Sequence, residues 1–356
     1  MRRRSKRLNQ TIPDLNSVLP DEIIRMILLR VPYESHFNLK LVCKQWRDVV
    51  STPEFYKDRM TSGTSEHLIC MTHDFWEKRA DPTTSRIIVF EPVKQSWAML
   101  RPIPDFPAGI PLHCMFVCVN GKLVLIDEHP QETNEILKTV YIYDFVSAKW
   151  RQGADMPALR YDFACSVSSS TGLIYVAGGI DNENALLATD AYNVEENTWE
   201  ILSPMIQPIG ECDGVFLEEK FIVFNRYNSE SFDPKTGVWE TVTNILWRLA
   251  PSLKSCVVVS DQLYTIYERQ LMKYDAQIND WISQIILPTN TDMWIPCTAE
   301  WRGHIFMSNR LRLRGRKRSR QRQVCGLFNP STQEFIKFYL PLNFSGLGLS
   351  AATVEI

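Results

Sequence analysis

Tyr143 to Trp150 reads YDFVSAKW, and the same phrase, one aromatic residue seven places before another, returns five more times in the 356-residue chain. The other copies are FEPVKQSW ending at Trp97, YNVEENTW at Trp199, FDPKTGVW at Trp239, YDAQINDW at Trp281 and a degenerate FNPSTQEF at Phe335. Asp, Asn, Pro, Ser and Gly fill the space between the aromatics. Each copy therefore predicts a strand, a tight polar turn and a second strand opening on its Trp.

Upstream of each anchor lies a short apolar run: LICM from Leu68, LVLI from Leu123, LIYV from Leu173, FIVF from Phe221, LYTIY from Leu263 and IFM from Ile305. The distance from run to anchor is 18 residues at Phe221 and Leu263 and 26 to 30 elsewhere, the excess being loop. A further run precedes most of these: MFVCV at Met115, FACSV at Phe163, GVFL at Gly214, CVVV at Cys256 and CTAEW at Cys297. Each unit carries about four strands over 40 to 54 residues from anchor to anchor, the period of propeller blades. The repeats resemble kelch repeats. Gly178-Gly179 after LIYVA is the one intact kelch double glycine, so the resemblance rests mainly on anchor spacing and period. The expected domain is an all-β, six-bladed kelch-type propeller over residues 67–356. Its first blade lacks an inner strand, and the C-terminal LGLSAATVEI has the small and β-branched character of one. Leu349 to Ile356 is therefore expected to close the ring, since an unclosed sheet exposes an edge.

Before the repeats the chain changes character. Residues 1–18 are polar and basic and predict a disordered tail; 57–66 reads as a linker. Between them, LPDEIIRMILLRVPYESHFNLKLVCKQWRDVVSTPEF reads as three short helices. Pro20 suits a first helical position, Asp21 and Glu22 favour a helix N-terminus, and Ile23, Ile24, Ile27, Leu28 and Val31 form an apolar stripe that Pro32 stops. A second helix spans about Ser35 to Val42, and a third holds Trp46, Val49 and Val50 and ends before Pro53. Residues 19–56 resemble an F-box, on Leu19-Pro20-Asp21-Glu22-Ile23, Ile27-Leu28, Val31-Pro32, Leu39, Val42-Cys43 and Trp46-Arg47 at that family's spacing.

The resemblance implies a small all-α F-box that docks a Skp-type adaptor and, through it, the cullin and RING subunits of a ubiquitin ligase. The propeller behind it would bind the protein to be ubiquitinated. Carried over by position, the adaptor contacts lie among Leu19, Pro20, Ile23, Ile27, Leu28, Val31, Pro32, Leu39, Val42 and Trp46; some of these instead pack the helices together, and the two sets stay unsorted. F-box plus kelch is an arrangement common in plants. The implied role is a non-catalytic substrate receptor.

In a four-stranded meander, the loops between strands two and three share a face with the loops between blades. Long inserts at 72–86, 127–138, 179–189 and 309–323 fall on that face in blades one, two, three and six. This lopsided rim is the expected substrate surface, with the helical module at the opposite end. Arg160, Tyr161, Trp247, Arg248 and Trp294 are its candidate contacts, Arg and aromatic residues being favoured interface anchors. The net charge of −2 conceals a split: residues 1–8 carry five Lys or Arg and Asn309 to Gln323 carries eight, leaving 26 basic against 41 acidic residues elsewhere. Arg316, Lys317, Arg318 and Arg320 fit a short nuclear-import signal; a clamp for an acidic partner segment and a plain disordered insert stay open beside it.

With 45% hydrophobic residues and no long apolar segment, the chain is expected to be soluble and to reside in the cytoplasm, the nucleus or both. Nine cysteines without a CxxC pair frame neither disulfides nor zinc. Five of them, Cys114, Cys165, Cys212, Cys256 and Cys297, recur seven to nine residues before a second-strand run, the register of small buried residues in inner strands. The six histidines occupy no matching positions across blades, which speaks against copper-oxidase chemistry on the propeller. No GxSxG, HExxH or phosphate-loop motif is present. No cofactor or metal, no membrane and no nucleic acid is expected, because the basic tracts lack interleaved aromatics. A kelch scaffold without ligase function is the rival reading.

Overall fold

The computed structural model describes residues 19–75, 84–107, 109–111, 114–126, 138–181, 184–242, 256–267, 270–278, 280–286, 293–311, 324–341, 344 and 346–356. The chain divides into two units, one within the residues up to Glu66 together with Ile356, the other spanning His67–Glu355.

In the first unit, α1 (Asp21–Leu29) starts one residue later than expected. Pro20 is the N-cap, with an extended ψ of 148°, and its carbonyl accepts the Ile23 and Ile24 N–H groups at 3.0 and 3.1 Å. After Pro32 comes a 3-10 turn (Tyr33–Ser35), then α2 (His36–Val42) and α3 (Lys44–Val49). A fourth helix follows, α4 (Pro53–Thr61), so four α-helices lie among the described residues of the unit where three were expected. The third helix ends before Pro53 as expected, but Pro53 also starts a helix that was not expected. Thr52 Oγ1 accepts the Phe55 N–H at 3.3 Å, and Pro53 at the first turn needs no N–H partner. Half of the expected linker is therefore helix. This helix buries Phe55, Tyr56 and Arg59, and a fully buried Phe contributes about 1.5–3 kcal/mol.

The second unit is a six-bladed β-propeller of four-stranded antiparallel sheets, with one short extra strand on the first. In order from inner to outer strand, blade 1 is Gly346–Glu355, His67–Phe75, Thr84–Glu91 and Ser96–Met99. Blade 2 is Met115–Val119, Lys122–Ile126, Val140–Asp144 and Lys149–Gln152, and blade 3 is Ala164–Val167, Ile174–Ala177, Thr189–Asn193 and Thr198–Ile201. Blade 4 is Asp213–Leu217, Lys220–Phe224, Ser229–Asp233 and Val238–Thr241; blade 5 is Val257–Val259, Gln262–Tyr267, Gln270–Asp275 and Asp280–Ile286. Blade 6 is Met293–Trp301, His304–Leu311, Val324–Phe328 and Phe335–Tyr339. The last strand of the chain thus pairs with the first, from His67↔Glu355 to Phe75↔Gly346, and the ring is closed by hydrogen bonds between its two ends.

The repeated phrase is the hairpin between the third and fourth strands. In every blade its two aromatics are direct cross-strand partners: Phe90↔Trp97, Tyr143↔Trp150, Tyr192↔Trp199, Phe232↔Trp239, Tyr274↔Trp281 and Phe328↔Phe335. The rings meet, with centroids 4.1 Å apart for Phe90 and Trp97 and 4.7 Å for Tyr192 and Trp199. The acid or amide after the first aromatic holds the turn. Asp144 Oδ1 accepts the Ser147 N–H at 3.0 Å, Asp233 Oδ1 accepts Lys235 at 2.8 Å, and Asn329 Oδ1 accepts Ser331 at 2.9 Å.

The anchor Trp also joins neighbouring blades. The indole Nε1–H of Trp150 donates to Arg101 O, that of Trp199 to Ala154 O and that of Trp239 to Ser203 O, at 2.8, 2.9 and 2.9 Å. Each acceptor lies four residues after the preceding anchor. The apolar core accordingly sits between sheets: Ile142 and Val176 share one cluster across blades 2 and 3, Tyr175 and Phe221 another across blades 3 and 4, and Phe90 and Phe306 a third across blades 6 and 1. The six inner strands surround an axial cavity of about 700 Å3.

Candidate functional site

The helical unit sorts its apolar residues into two sets. Of the positions expected to meet an adaptor, Leu28 is buried at 1% exposure and belongs to the core. Leu19, Val31, Pro32, Leu39 and Trp46 are half-buried, while Pro20, Ile23, Ile27 and Val42 are exposed. Met26, Phe37, Leu41 and Met60 are exposed as well and were not among the expected positions. Their signal was present in the sequence. Ile23, Met26 and Ile27 fall at i, i+3, i+4 on one side of α1 while Ile24 and Leu28 fall on the other, so the helix has more apolar surface than one core can cover. Ile27, Phe37, Leu41 and Val42 stand 49 to 64% exposed, large apolar side chains left in solvent in a small unit, as binding surfaces leave them.

Inside the unit a buried polar cluster ties the helices together. Arg59, 1% exposed, donates to Leu29 O at 3.1 Å and Val31 O at 2.6 Å and pairs with Glu66 at 3.1 Å. His36 packs in with Nδ1 3.0 Å from Tyr56 Oη and Nε2 3.0 Å from both Val31 O and Arg59. Burial, seconded by the Arg59 charge, pushes the His36 pKa down to about 4, so the ring is neutral at physiological pH. Arg59 and Glu66 both lie in or after α4, which is why the segment expected to be a linker is part of the scaffold.

In the propeller, Arg160 is not a surface contact. It is fully buried and paired to Asp190, itself 2% exposed, and its Nη1 donates to Ala188 O at 2.9 Å. The double glycine lies beside it, with Arg160 Nη1 donating to Gly178 O at 3.4 Å. Gly178 and Gly179 have φ of +65° and +88°, and a Cβ on Gly178 would lie 2.4 Å from Ile209 O. Tyr161 is half-buried, and its backbone N–H and C=O exchange hydrogen bonds with Ile180 at 3.0 and 2.9 Å, tying the blade 2–3 loop to the insert of blade 3. That insert forms a small hairpin, Ile180–Asp181 with Asn184–Ala185. Trp294 lies in the inner strand of blade 6, opposite Arg310. Trp247 and Arg248, and the candidate import signal Arg316, Lys317, Arg318 and Arg320, lie outside the described residues.

All nine cysteines are free thiols. Burial pushes the Cys256 and Cys297 thiols up to about 12 and that of Cys325 higher still, which leaves them protonated packing groups rather than nucleophiles. Among the described residues no group of three or more His, Cys, Asp or Glu side chains is arranged to hold a metal. No helix among them is long and apolar enough to cross a membrane.

Comparison with known proteins matches both units. The F-box domain family matches residues 16–58 and the kelch motif family residues 163–206, the stretch that includes the double glycine. The chain is 32% identical over 245 residues to the F-box/kelch-repeat protein At1g80440 of Arabidopsis thaliana, covering 63% of this chain and 68% of that protein. It is 30% identical to At2g44130 of the same plant, over 65% of each chain, so it spans about two thirds of these relatives' length. Against the putative F-box/kelch-repeat protein At1g27420 the identity is 24%, but the match covers 82% of this chain and 85% of the relative. With a helical unit bearing the F-box match, a six-bladed propeller bearing the kelch match and these relatives, the chain belongs to the F-box/kelch-repeat proteins.

Proposed function

We propose that this protein is the substrate-recognition subunit of a Skp–cullin–F-box ubiquitin ligase. The helical unit docks a Skp-type adaptor, which brings the cullin and RING subunits, and the propeller binds the protein to be ubiquitinated. The chain itself catalyses nothing in this scheme. One observation carries the reading: the apolar side chains of Ile23, Met26 and Ile27 on α1 and of Phe37, Leu41 and Val42 on α2 are left in solvent by a unit whose own core is already filled by Leu28, Phe55 and Tyr56. A partner laid against them would cover them. The free thiols are compatible with the cytoplasm or nucleus, where such a ligase works.

The test is a pull-down of the full chain with a Skp-type adaptor and a cullin from cells with a blocked proteasome, beside an Ile23→Asp, Ile27→Asp variant. Both positions are 41 to 49% exposed, so the variant should keep its fold. Retention of adaptor and cullin by wild type alone supports the ligase. Retention by neither leaves a propeller scaffold with a helical cap.

A further inference from the structure

Between blades 3 and 4, at the end of the ring where the third and fourth strands turn, lies a pocket of about 410 Å3, distinct from the axial cavity. One wall is the inner hairpin of blade 3, which departs from its counterparts. Six residues, 168–173, join its first two strands, where blades 2, 4, 5 and 6 use two, at 120–121, 218–219, 260–261 and 302–303. The extra length is folded: Ser168 N–H donates to Leu173 O at 3.0 Å, Gly172 N–H to Ser168 O at 2.8 Å, and Ser168 Oγ accepts the Thr171 N–H at 3.3 Å. Ser169 and Gly172 of this loop line the axial cavity, while Thr171 and Leu173 line the pocket. Leu173, Tyr175, Leu202 and Phe232 give the pocket an apolar floor.

Charge supplies the second observation. Glu200 from blade 3 and Glu219 from blade 4 both line the pocket and are exposed to solvent. Among the described residues neither carboxylate has an ion-pair or hydrogen-bond partner; Lys220, next to Glu219, is paired with Glu240 at 3.4 Å instead. Lys235 is the one cation in the described lining, so two carboxylates leave an excess of one negative charge. The Glu200 charge is felt at the floor, where burial first and then Glu200 push the Tyr175 phenol pKa up. Glu219 stands at a left-handed φ of +61°, where blade 2 has Gly121, so a carboxylate occupies a position the backbone alone would give to glycine.

We propose that this pocket is a peptide subsite of the propeller, taking one long basic side chain from a partner segment. The inference rests on the reading of the propeller as a substrate receptor. A volume of 410 Å3 lies within the range of ligand pockets and holds a long side chain with part of its neighbour. The aliphatic stem of an arginine or lysine lies along Leu173 and Leu202, as such stems do on apolar surface. Its charged head meets Glu200 and Glu219 in charge-assisted contacts that salt weakens. Both carboxylates are already open to solvent, so the contact needs no buried atom to be uncovered. An acidic side chain is repelled, and a neutral one of the same shape gains only the stem.

Fluorescence polarisation on the purified full chain tests this with three short labelled peptides that differ only at a central arginine, citrulline or glutamate between alanine pairs. The arginine peptide should bind about 10-fold tighter than its neutral citrulline twin, a difference of roughly 1.4 kcal/mol. That gap should shrink in high salt, and the glutamate peptide should bind weakest. A Glu200→Gln, Glu219→Asn variant should bring the arginine peptide down to the citrulline level. Both side chains are exposed, and asparagine takes a left-handed φ readily, so the fold is kept. Lys235→Glu, also at an exposed position, should widen the preference for arginine. Equal binding of the arginine and citrulline peptides, an unaltered preference in the double variant, or no binding by any peptide overturns the subsite. None of these outcomes touches adaptor binding, so a chain that discriminates peptides but brings down no adaptor keeps this inference and loses the ligase.

Discussion

In all six blades the turn between the third and fourth strands is one and the same object, whereas the connections at the other end differ from blade to blade. At the turn end, a side-chain oxygen caps the backbone, the residue two before the anchor takes a left-handed φ wherever it is among the described residues (Gln95, Ala148, Asn197, Gly237 and Gln333, from 54° to 70°), and the anchor aromatic closes the hairpin. At the loop end, blade 3 uses a double glycine and a buried Arg160–Asp190 pair, blade 1 pairs back on itself through Ile110–Pro111, and blade 4 needs only the Asn225–Asn228 turn. The turn end carries the constraint that makes a blade a blade. The loop end is therefore free to diverge, which is where recognition can be written without unfolding the ring.

The largest effect that could break this comparison is at Arg160. If it belongs to the scaffold, Arg160→Ala leaves Asp190 buried without its partner and costs about 3–5 kcal/mol, read as a lower urea midpoint. A variant of unchanged stability with altered partner binding would return Arg160 to the recognition surface.

Acid comes next. Burial lowers the pKa of His73, in the second strand of blade 1, from 6.5 to about 4, as it does for His36. A neutral histidine favoured by the fold stabilises fully above the unfolded value of 6.5, and that contribution is lost as pH falls towards 4. The propeller should therefore weaken by about 3 kcal/mol between pH 6.5 and 4. His73→Gln should flatten this part of the stability profile; a profile with the same slope in both proteins would refute the assignment.

A smaller effect distinguishes the two jobs of an anchor Trp. Trp239→Phe keeps the aromatic pair with Phe232 but removes the hydrogen bond to Ser203 O, and should cost about 1 kcal/mol. The same change at Trp199, whose indole donates to Ala154 O, gives a second measure of the latch, and a loss of several kcal/mol at Trp239 would mean that ring shape, not the N–H, joins the blades.

The smallest effect is a gain. The inner hairpin of blade 4 turns on Glu218-Glu219, with φ of +50° and +61°, where blade 2 has Asn120-Gly121. Replacing Glu218-Glu219 by Asn-Gly relieves two left-handed non-glycine residues and should raise stability by about 0.5–1 kcal/mol in thermal unfolding.

How much of this could be read from the residues alone follows the same division. The hairpins were legible because turn chemistry and aromatic pairing act over eight residues, as YDFVSAKW does at Tyr143–Trp150. The strand register, the six sheets and the F-box segment follow from equally local patterns. The helix that starts at Pro53 was missed because a proline follows a helix end and also opens a helix, and the Thr52 cap shows that here it does both. Arg160 was misread because a loop arginine looks the same in sequence whether it faces solvent or an aspartate thirty positions on.

The sequence by itself thus determined the repeat, its turns, its period and the kind of small helical unit placed before it, since these rest on contacts between residues a few positions apart. Only the tertiary structure decided which apolar residues of that unit stay in solvent and that Arg160 lies buried against Asp190. Those facts depend on groups far apart in the chain whose meeting is set by packing and ring closure, and no local pattern encodes the distance between them.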